Sequence, residues 1–389
     1  MKYTLSFLIL FLSAVLCKAQ RMTFNKGGTN AKNYYEEISY QFINGYLFVT
    51  PEINGLKRKF LFDTGAPTQI TPKLFNELKS AVINRTKITD ISGNKDYLDI
   101  VDLKEIKLNN LAFMGVPALV SNSDIYTCMH IDGVIGSNLL RNSIVRIEPT
   151  KQVIILTDDA TKLPLDKKKA TSLVTGEPQS YPYLMMEVTG KQPQMIGFDS
   201  GSPYFLVMAE THAKRFIKDN TFETLSTGFG SSSRGLLGLQ KEDSLYRLRL
   251  PSISIAKAVF TNVITETNKS NKTRVGAKLL NYGVVTMDFI HHLFYFEPIN
   301  ENNDLSEKLW PLKPVAVNNK LLVGVVWGEF KNEANPGDQI IAIDDEPCET
   351  MDLCEWLDGK SAVMMNKPTV VFSIKDAKGN IKKINLIKE

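Results

Sequence analysis

The stretch Phe60-Leu61-Phe62-Asp63-Thr64-Gly65-Ala66 carries one carboxylate out of an apolar run and into a turn that ends at a glycine. A near copy follows 136 positions later, as Met195-Ile196-Gly197-Phe198-Asp199-Ser200-Gly201-Ser202. An aspartate after a buried strand, followed by a small hydroxyl residue and a glycine, suits a carboxyl at the floor of a cleft. A single Asp-Thr-Gly reads as an ordinary turn whose aspartate caps its neighbours. The doubling instead predicts two carboxyls facing each other.

The surroundings repeat as well. Residues 135 to 156, IGSNLLRNSIVRIEPTKQVIIL, align without a gap on residues 275 to 296, VGAKLLNYGVVTMDFIHHLFYF. Gly136 falls on Gly276, Leu139 and Leu140 on Leu279 and Leu280, and Val145 on Val285. The step from Asp63 to Gly136 is 73 residues, and that from Asp199 to Gly276 is 77. Landmarks in one order at such similar spacing predict two structural copies of one unit. Each copy opens alike: Gly45 to Thr50 and Lys59 to Phe62 flank an Asn54-Gly55 hairpin signal, and Tyr183 to Val188 and Met195 to Phe198 flank Thr189-Gly190. Roughly 30 residues past each aspartate comes another glycine-bearing turn, Ser92-Gly93-Asn94 and then Gly228-Phe229-Gly230. Gly93, Phe229 and Gly230 are the expected tips of hairpins that cover the cleft.

At 389 residues, with 43% hydrophobic and 23% charged side chains, the chain has room for two or three globular domains. Its net charge of +4 is small for that length, and no basic run interleaves with aromatics, so nucleic acid is not an expected partner. Residues 1–19 carry Lys2, an apolar core from Leu5 to Leu16 and a small-residue end, and read as a secretory signal peptide. Leu16 before Cys17 speaks against a lipid anchor. No later stretch reaches membrane-spanning length, so an exported protein, periplasmic or secreted, is expected. Cleavage after Ala19 leaves Cys128, Cys348 and Cys354. Cys348 and Cys354 either pair or remain small apolar side chains; Cys128 has no obvious partner. Polar segments at 157–180 and 300–308 set the expected boundaries: lobe 1 over 34–157, lobe 2 over 176–298, and a small separate α+β module over 309–389.

With Gly136-x-x-Leu139-Leu140 and Gly276-x-x-Leu279-Leu280 behind them, Asp63-Thr64-Gly65-Ala66 and Asp199-Ser200-Gly201-Ser202 resemble the aspartic proteases over residues 34 to 298. The resemblance implies a mainly β fold of two homologous pepsin/retropepsin-like lobes forming a cleft, with the short lobes and the Asp-Thr-Gly-Ala form nearer the retroviral type. The C-terminal module resembles a PDZ domain through Gly337-Asp338-Gln339-Ile340 and the following Ile341-Ala342-Ile343-Asp344. Two departures stand out. Pro67 and Pro203 follow the motifs where hydroxyl residues are frequent, and Arg274 sits where an apolar residue is usual, which implies a remodelled inner loop in lobe 2.

What the resemblance implies chemically is peptide hydrolysis by water. Two carboxyls about 3 Å apart share a proton, so Asp63 and Asp199 act as one titrating pair. Thr64 and Ser200 would hydrogen-bond across the base of the cleft, Gly65 and Gly201 would let the backbone approach the carboxyls, and Ser202 would donate to its carboxylate. Ala66 lacks that donor, which predicts a mildly acidic to near-neutral optimum. The expected partners are a peptide or protein substrate and a peptide ligand of the PDZ-like module, unless that module merely packs on the lobes and restricts the cleft. A non-catalytic peptide-binding protein is the rival reading. A chain ending near Pro298 is expected to keep hydrolysis of short peptides. No cofactor or metal is called for. His291-His292, expected on a strand, point to opposite faces, and Gly228 to Gly235 lacks the Lys-Ser/Thr ending of a phosphate loop.

Overall fold

The apolar residues next to each aspartate form short buried strands because Phe, Leu and Ile pack on both faces of a covered sheet. A computed structural model describes residues 22–188, 193–218, 222–270 and 272–389. The expected signal peptide, Cys17 and the Thr189-Gly190 turn lie outside the described residues. The chain is mainly β. No helix among the described residues is long and apolar enough to cross a membrane.

In lobe 1, strand Phe60–Asp63 pairs antiparallel with Tyr46–Val49. The small hairpin between them turns at Asn54-Gly55, both with positive φ (53° and 74°), the backbone that Asn-Gly adopts most readily. Strand Gly133–Gly136 returns parallel to Phe60–Asp63, with Gly136 opposite Asp63, and runs antiparallel to Gln69–Ile70. Lobe 2 repeats the arrangement. Strand Arg274–Gly276 lies parallel to Gln194–Asp199, with Gly276 opposite Asp199, and antiparallel to Leu206–Ala209.

The two copies meet through the repeated hairpins. Strands Ile144–Glu148 and Val153–Thr157 of the first pair through Ile144–Glu148 with Gly283–Asp288 of the second, whose own partner is Leu293–Pro298. The outcome is one six-stranded sheet beneath both lobes. One apolar core runs through it, including Phe62, Val145, Phe198 and Val285. Arg146, buried in this sheet, is held by Glu148, Glu297 and Thr286. His291 and His292 occupy the turn between Gly283–Asp288 and Leu293–Pro298 rather than a strand, because Asp288 caps that turn: its Oδ1 accepts from the Ile290 and His291 backbone N–H groups, and its Oδ2 lies 2.8 Å from His291 Nδ1.

The C-terminal module has its own core around Leu312, Ile340, Met351, Phe372 and Leu386, but it is not a separate unit. Its strand Lys320–Trp327 pairs antiparallel with Glu223–Gly230 of lobe 2, so one sheet runs through both. Trp327 packs with Leu245 and Val325, and its ring lies 4.3 Å from the Arg247 guanidinium. Glu266 of lobe 2 binds Arg247 and the module's Lys313. Cys354 forms a disulfide with Cys128 of lobe 1, across 226 residues of sequence. This replaces the Cys348–Cys354 alternative; Cys348 is buried, with its sulfur 3.5 Å from the Ile340 carbonyl.

Candidate active site

Each aspartate ends a strand whose preceding residues are buried, so its carboxyl is delivered at the point where the chain turns. The Gly65 N–H donates to Asp63 Oδ1 at 2.7 Å, and the Gly201 N–H donates to Asp199 Oδ1 at 3.0 Å. The two turns then interlock. Thr64 N–H donates to Ser200 Oγ at 3.0 Å and Ser200 N–H to Thr64 Oγ1 at 3.1 Å. Each hydroxyl in turn donates a hydrogen bond to the opposite lobe, Thr64 Oγ1 to the Phe198 carbonyl at 2.9 Å and Ser200 Oγ to the Phe62 carbonyl at 2.8 Å. Both hydroxyls are fully buried, so every one of these polar groups depends on its partner across the interface.

That grip presses each carboxyl against the other motif's glycine. A Cβ at Gly65 would stand 2.4 Å from Asp199 Cγ, and one at Gly201 would stand 2.2 Å from Asp63 Cγ. No residue larger than glycine fits at either position. The Asp63 carboxyl is held well above the usual carboxylate range. Burial is the main cause and the charge of Asp199 the next, while the Gly65 N–H and the Arg274 guanidinium oppose the rise. Tyr46, Tyr126 and Tyr181 surround the pair, and their phenols are pushed up, first by burial.

Ser202 does not play the part expected of it. Its Oγ is buried without a hydrogen bond among the described residues and donates nothing to Asp199, so the contrast with Ala66 gives no such donor to either lobe. The lobes differ instead at Arg274. The inner strand is not remodelled around it, since Arg274 keeps its place in the ladder opposite Gly197 and Val207. Its side chain is 4% exposed, and Nε lies 3.0 Å from Asp199 Oδ2.

Two loops, one from each lobe, meet at the lobe 1 wall that holds Leu61 and Ala66. Strands Val82–Thr89 and Lys95–Leu108 pair up to Thr89 and Lys95, so 90–94 is a hairpin tip that includes Gly93. Phe229 and Gly230 are not at a tip. They lie within strand Glu223–Gly230, between Asp243–Ile255 on one side and the module's Lys320–Trp327 on the other. The covering loop of lobe 2 is the following segment, 231–242, fastened at its base by the Ser231 N–H to the Gly324 carbonyl at 2.8 Å. Its turn at Leu236-Leu237 meets the first tip: the Leu237 N–H donates to Asp90 Oδ2 at 2.8 Å, and Asn94 Nδ2 donates to the Leu239 carbonyl at 3.1 Å. Arg234 binds Asp124 of lobe 1 at 2.5 Å and the module's Ala316 carbonyl at 2.9 Å. Leu236 reaches across into a lobe 1 wall with Phe48, Leu61, Tyr126 and Ala66. A cavity of about 900 Å³ opens beside the two tips, lined by Asn94, Asp96, Asp124, Thr127 and Leu237, outside the aspartate pair itself.

Sequence reasoning marked both aspartates and the residues that grip them, but it missed Leu236, Tyr46, Tyr126 and Tyr181. None carries a local motif. Arg274 was visible as a departure from an apolar pattern, without any sign of what it faces.

Residues 49–139 match the family model described as Aspartyl protease. No curated protein matches the chain. Among solved structures, basic 7S globulin from soybean is similar at 10% identity with a TM-score of 0.38, covering 69% of this chain and 97% of that one. A retropepsin-like aspartic protease from Rickettsia conorii is similar at 20% identity with a TM-score of 0.26, covering 34% of this chain and 94% of that one.

Proposed function

We propose that the chain is an exported aspartic endopeptidase in which Asp63 and Asp199 activate a water against a peptide bond. The observation that carries the reading is the reciprocal grip of Thr64 and Ser200, which holds each carboxyl against the opposite motif's glycine. Two carboxyls held against each other's motif in this way, Asp199 buried and Asp63 half-buried, cannot both ionise cheaply, so one proton is shared. The charged partner takes a proton from the water as its oxygen attacks the carbonyl carbon, and the protonated partner gives its proton to the carbonyl oxygen. Reversing these transfers onto the leaving nitrogen completes hydrolysis, with no covalent intermediate.

Export is supported by the signal-like residues 1–19 and by the Cys128–Cys354 disulfide, which persists in oxidising compartments. For the PDZ-like module, its strand pairing with lobe 2 and its bond to lobe 1 support a role in holding the cleft cover; binding of a peptide end is its second proposed role.

The test is hydrolysis of a mixed peptide library by the mature chain and by Asp63→Asn and Asp199→Asn. Each variant is expected to lose activity by about 100-fold or more while remaining folded. Near-normal turnover by either one rules out the dyad. Tight peptide binding without cleavage by the unmodified chain establishes the non-catalytic reading instead.

A further inference from the structure

Lobe 2 carries a cation where lobe 1 carries an apolar side chain. Val134 stands two residues before Gly136 in the lobe 1 ladder and is fully buried. The matching position before Gly276 is Arg274, with Nε 3.0 Å from Asp199 Oδ2. Nε lacks the alignment of a hydrogen bond to that oxygen, so the contact is an ion pair, and Nη1 has no hydrogen bond among the described residues. Burying a guanidinium is costly unless its charge is answered, and Asp199 is the carboxylate that answers it.

Building on the dyad reading above, we infer that Arg274 is a positioning residue that divides the work of the pair: it holds Asp199 as the carboxylate that takes the water's proton and leaves the shared proton on Asp63. In the attack step the water loses a proton to Asp199, its oxygen bonds to the carbonyl carbon, and the carbonyl oxygen receives the proton of Asp63. In the breakdown step the C–N bond breaks, Asp199 gives its proton to the nitrogen, and Asp63 recovers one from the diol. The pair ends as it began, with Asp63 protonated and Asp199 charged beside Arg274.

The other groups around the guanidinium do not compete for this role. Tyr181, from strand Tyr181–Val188, is kept neutral by burial, as are Tyr46 and Tyr126 on the lobe 1 side of the pair. Lys272 sits two residues away and its charge also reaches Asp199, but its Nζ stands 4.0 Å from the centre of the Tyr181 ring, and burial, the larger effect, lowers its pKa. His212 points from the helix Glu210–Lys218 to the Thr273 hydroxyl at 2.8 Å.

The experiment compares kcat/KM against pH for the full chain and for Arg274→Gln, Arg274→Lys and Lys272→Met. Losing the guanidinium makes the anionic pair harder to form. Arg274→Gln is therefore expected to move the acidic limb upward by about one pH unit and to lower kcat more than it raises KM. Arg274→Lys should keep the limb near its original position, and Lys272→Met should move it less than Arg274→Gln does. A purely structural role would lower activity without moving the limb. An Arg274→Gln limb that coincides with the wild type, or an Arg274→Lys limb displaced as far as that of Arg274→Gln, overturns the inference while leaving the peptidase reading intact. A wild-type chain that cleaves no peptide overturns both. Thermal unfolding gives a readout that does not depend on turnover. Asp199→Asn and Arg274→Leu should each lower Tm, and the double variant should lower it by less than the sum; additive losses also overturn the pairing.

Discussion

Asp63 shows how far a single carboxyl's surroundings reach into stability. Its folded pKa lies above the roughly 3.9 of an ordinary aspartate, mainly through burial and then through the charge of Asp199. Between that ordinary value and the raised one, the folded protein keeps a proton that the unfolded chain has lost. Stability is therefore fully present below about pH 3.9 and declines as pH rises through the raised value. Asparagine has no proton to lose. Asp63→Asn is expected to flatten the fall in Tm between pH 4 and pH 7, measured against the wild type across the same buffers. Parallel slopes for the two proteins would show that the pair does not titrate as described. The slope belongs to the coupled pair rather than to Asp63 alone.

At the scale of elements, the cleft cover depends on contacts between two hairpins that belong to different lobes. Asp90 is central to them. Its Oδ1 accepts from the Ser92 and Asn94 N–H groups at 2.9 Å, shaping the first tip, and its Oδ2 accepts from Leu237 of the second. Charge-assisted hydrogen bonds of this kind contribute about 1.5–3 kcal/mol each. Asp90→Ala should loosen both tips, raising KM by roughly tenfold with a smaller change in kcat. It should also expose 231–242 to limited proteolysis. An unchanged KM together with unchanged proteolysis would mean that the tips do not take part in holding substrate.

At the scale of the whole molecule, the C-terminal module fastens the cover to both lobes. It pairs with lobe 2 through Lys320–Trp327 and is bonded to lobe 1 through Cys354 and Cys128, whose Cα atoms are 4.7 Å apart. A cross-link over so long a stretch of chain restricts the unfolded state strongly, by about 2–4 kcal/mol in typical cases. Cys354→Ser is expected to lower stability in that range under non-reducing conditions, and reductant should produce the same loss in the wild type. A variant whose Tm matches the wild type, with or without reductant, would remove the bond from the stability of the fold. The same arrangement changes what is expected of a chain ending near Pro298. Without the module, Gly228–Gly230 loses a strand partner, and Ser231 loses its anchor at Gly324. Such a chain should lose turnover of short peptides as well as long ones.

Two lobes, their order and the carboxyl each presents were legible in the sequence. Those features rest on local signals: apolar runs that become strands, Asn54-Gly55, the Asp-Thr/Ser-Gly turns, and a repeat whose spacing survives in Gly136 and Gly276. What remained hidden depends on contacts between residues distant along the chain. Phe229 and Gly230 read as a tip because glycines mark turns, yet they lie in a strand with a second partner almost 100 residues away. Cys348 is near Cys354 in sequence, but a disulfide requires Cα atoms within about 7 Å and Cβ vectors that converge, and the fold brings Cys128 there instead. Arg274 could be recognised only as a charge in an apolar place. The direction of its side chain, and hence its pairing with Asp199, is set by the packing of strand Arg274–Gly276 against its neighbours, which no local pattern encodes.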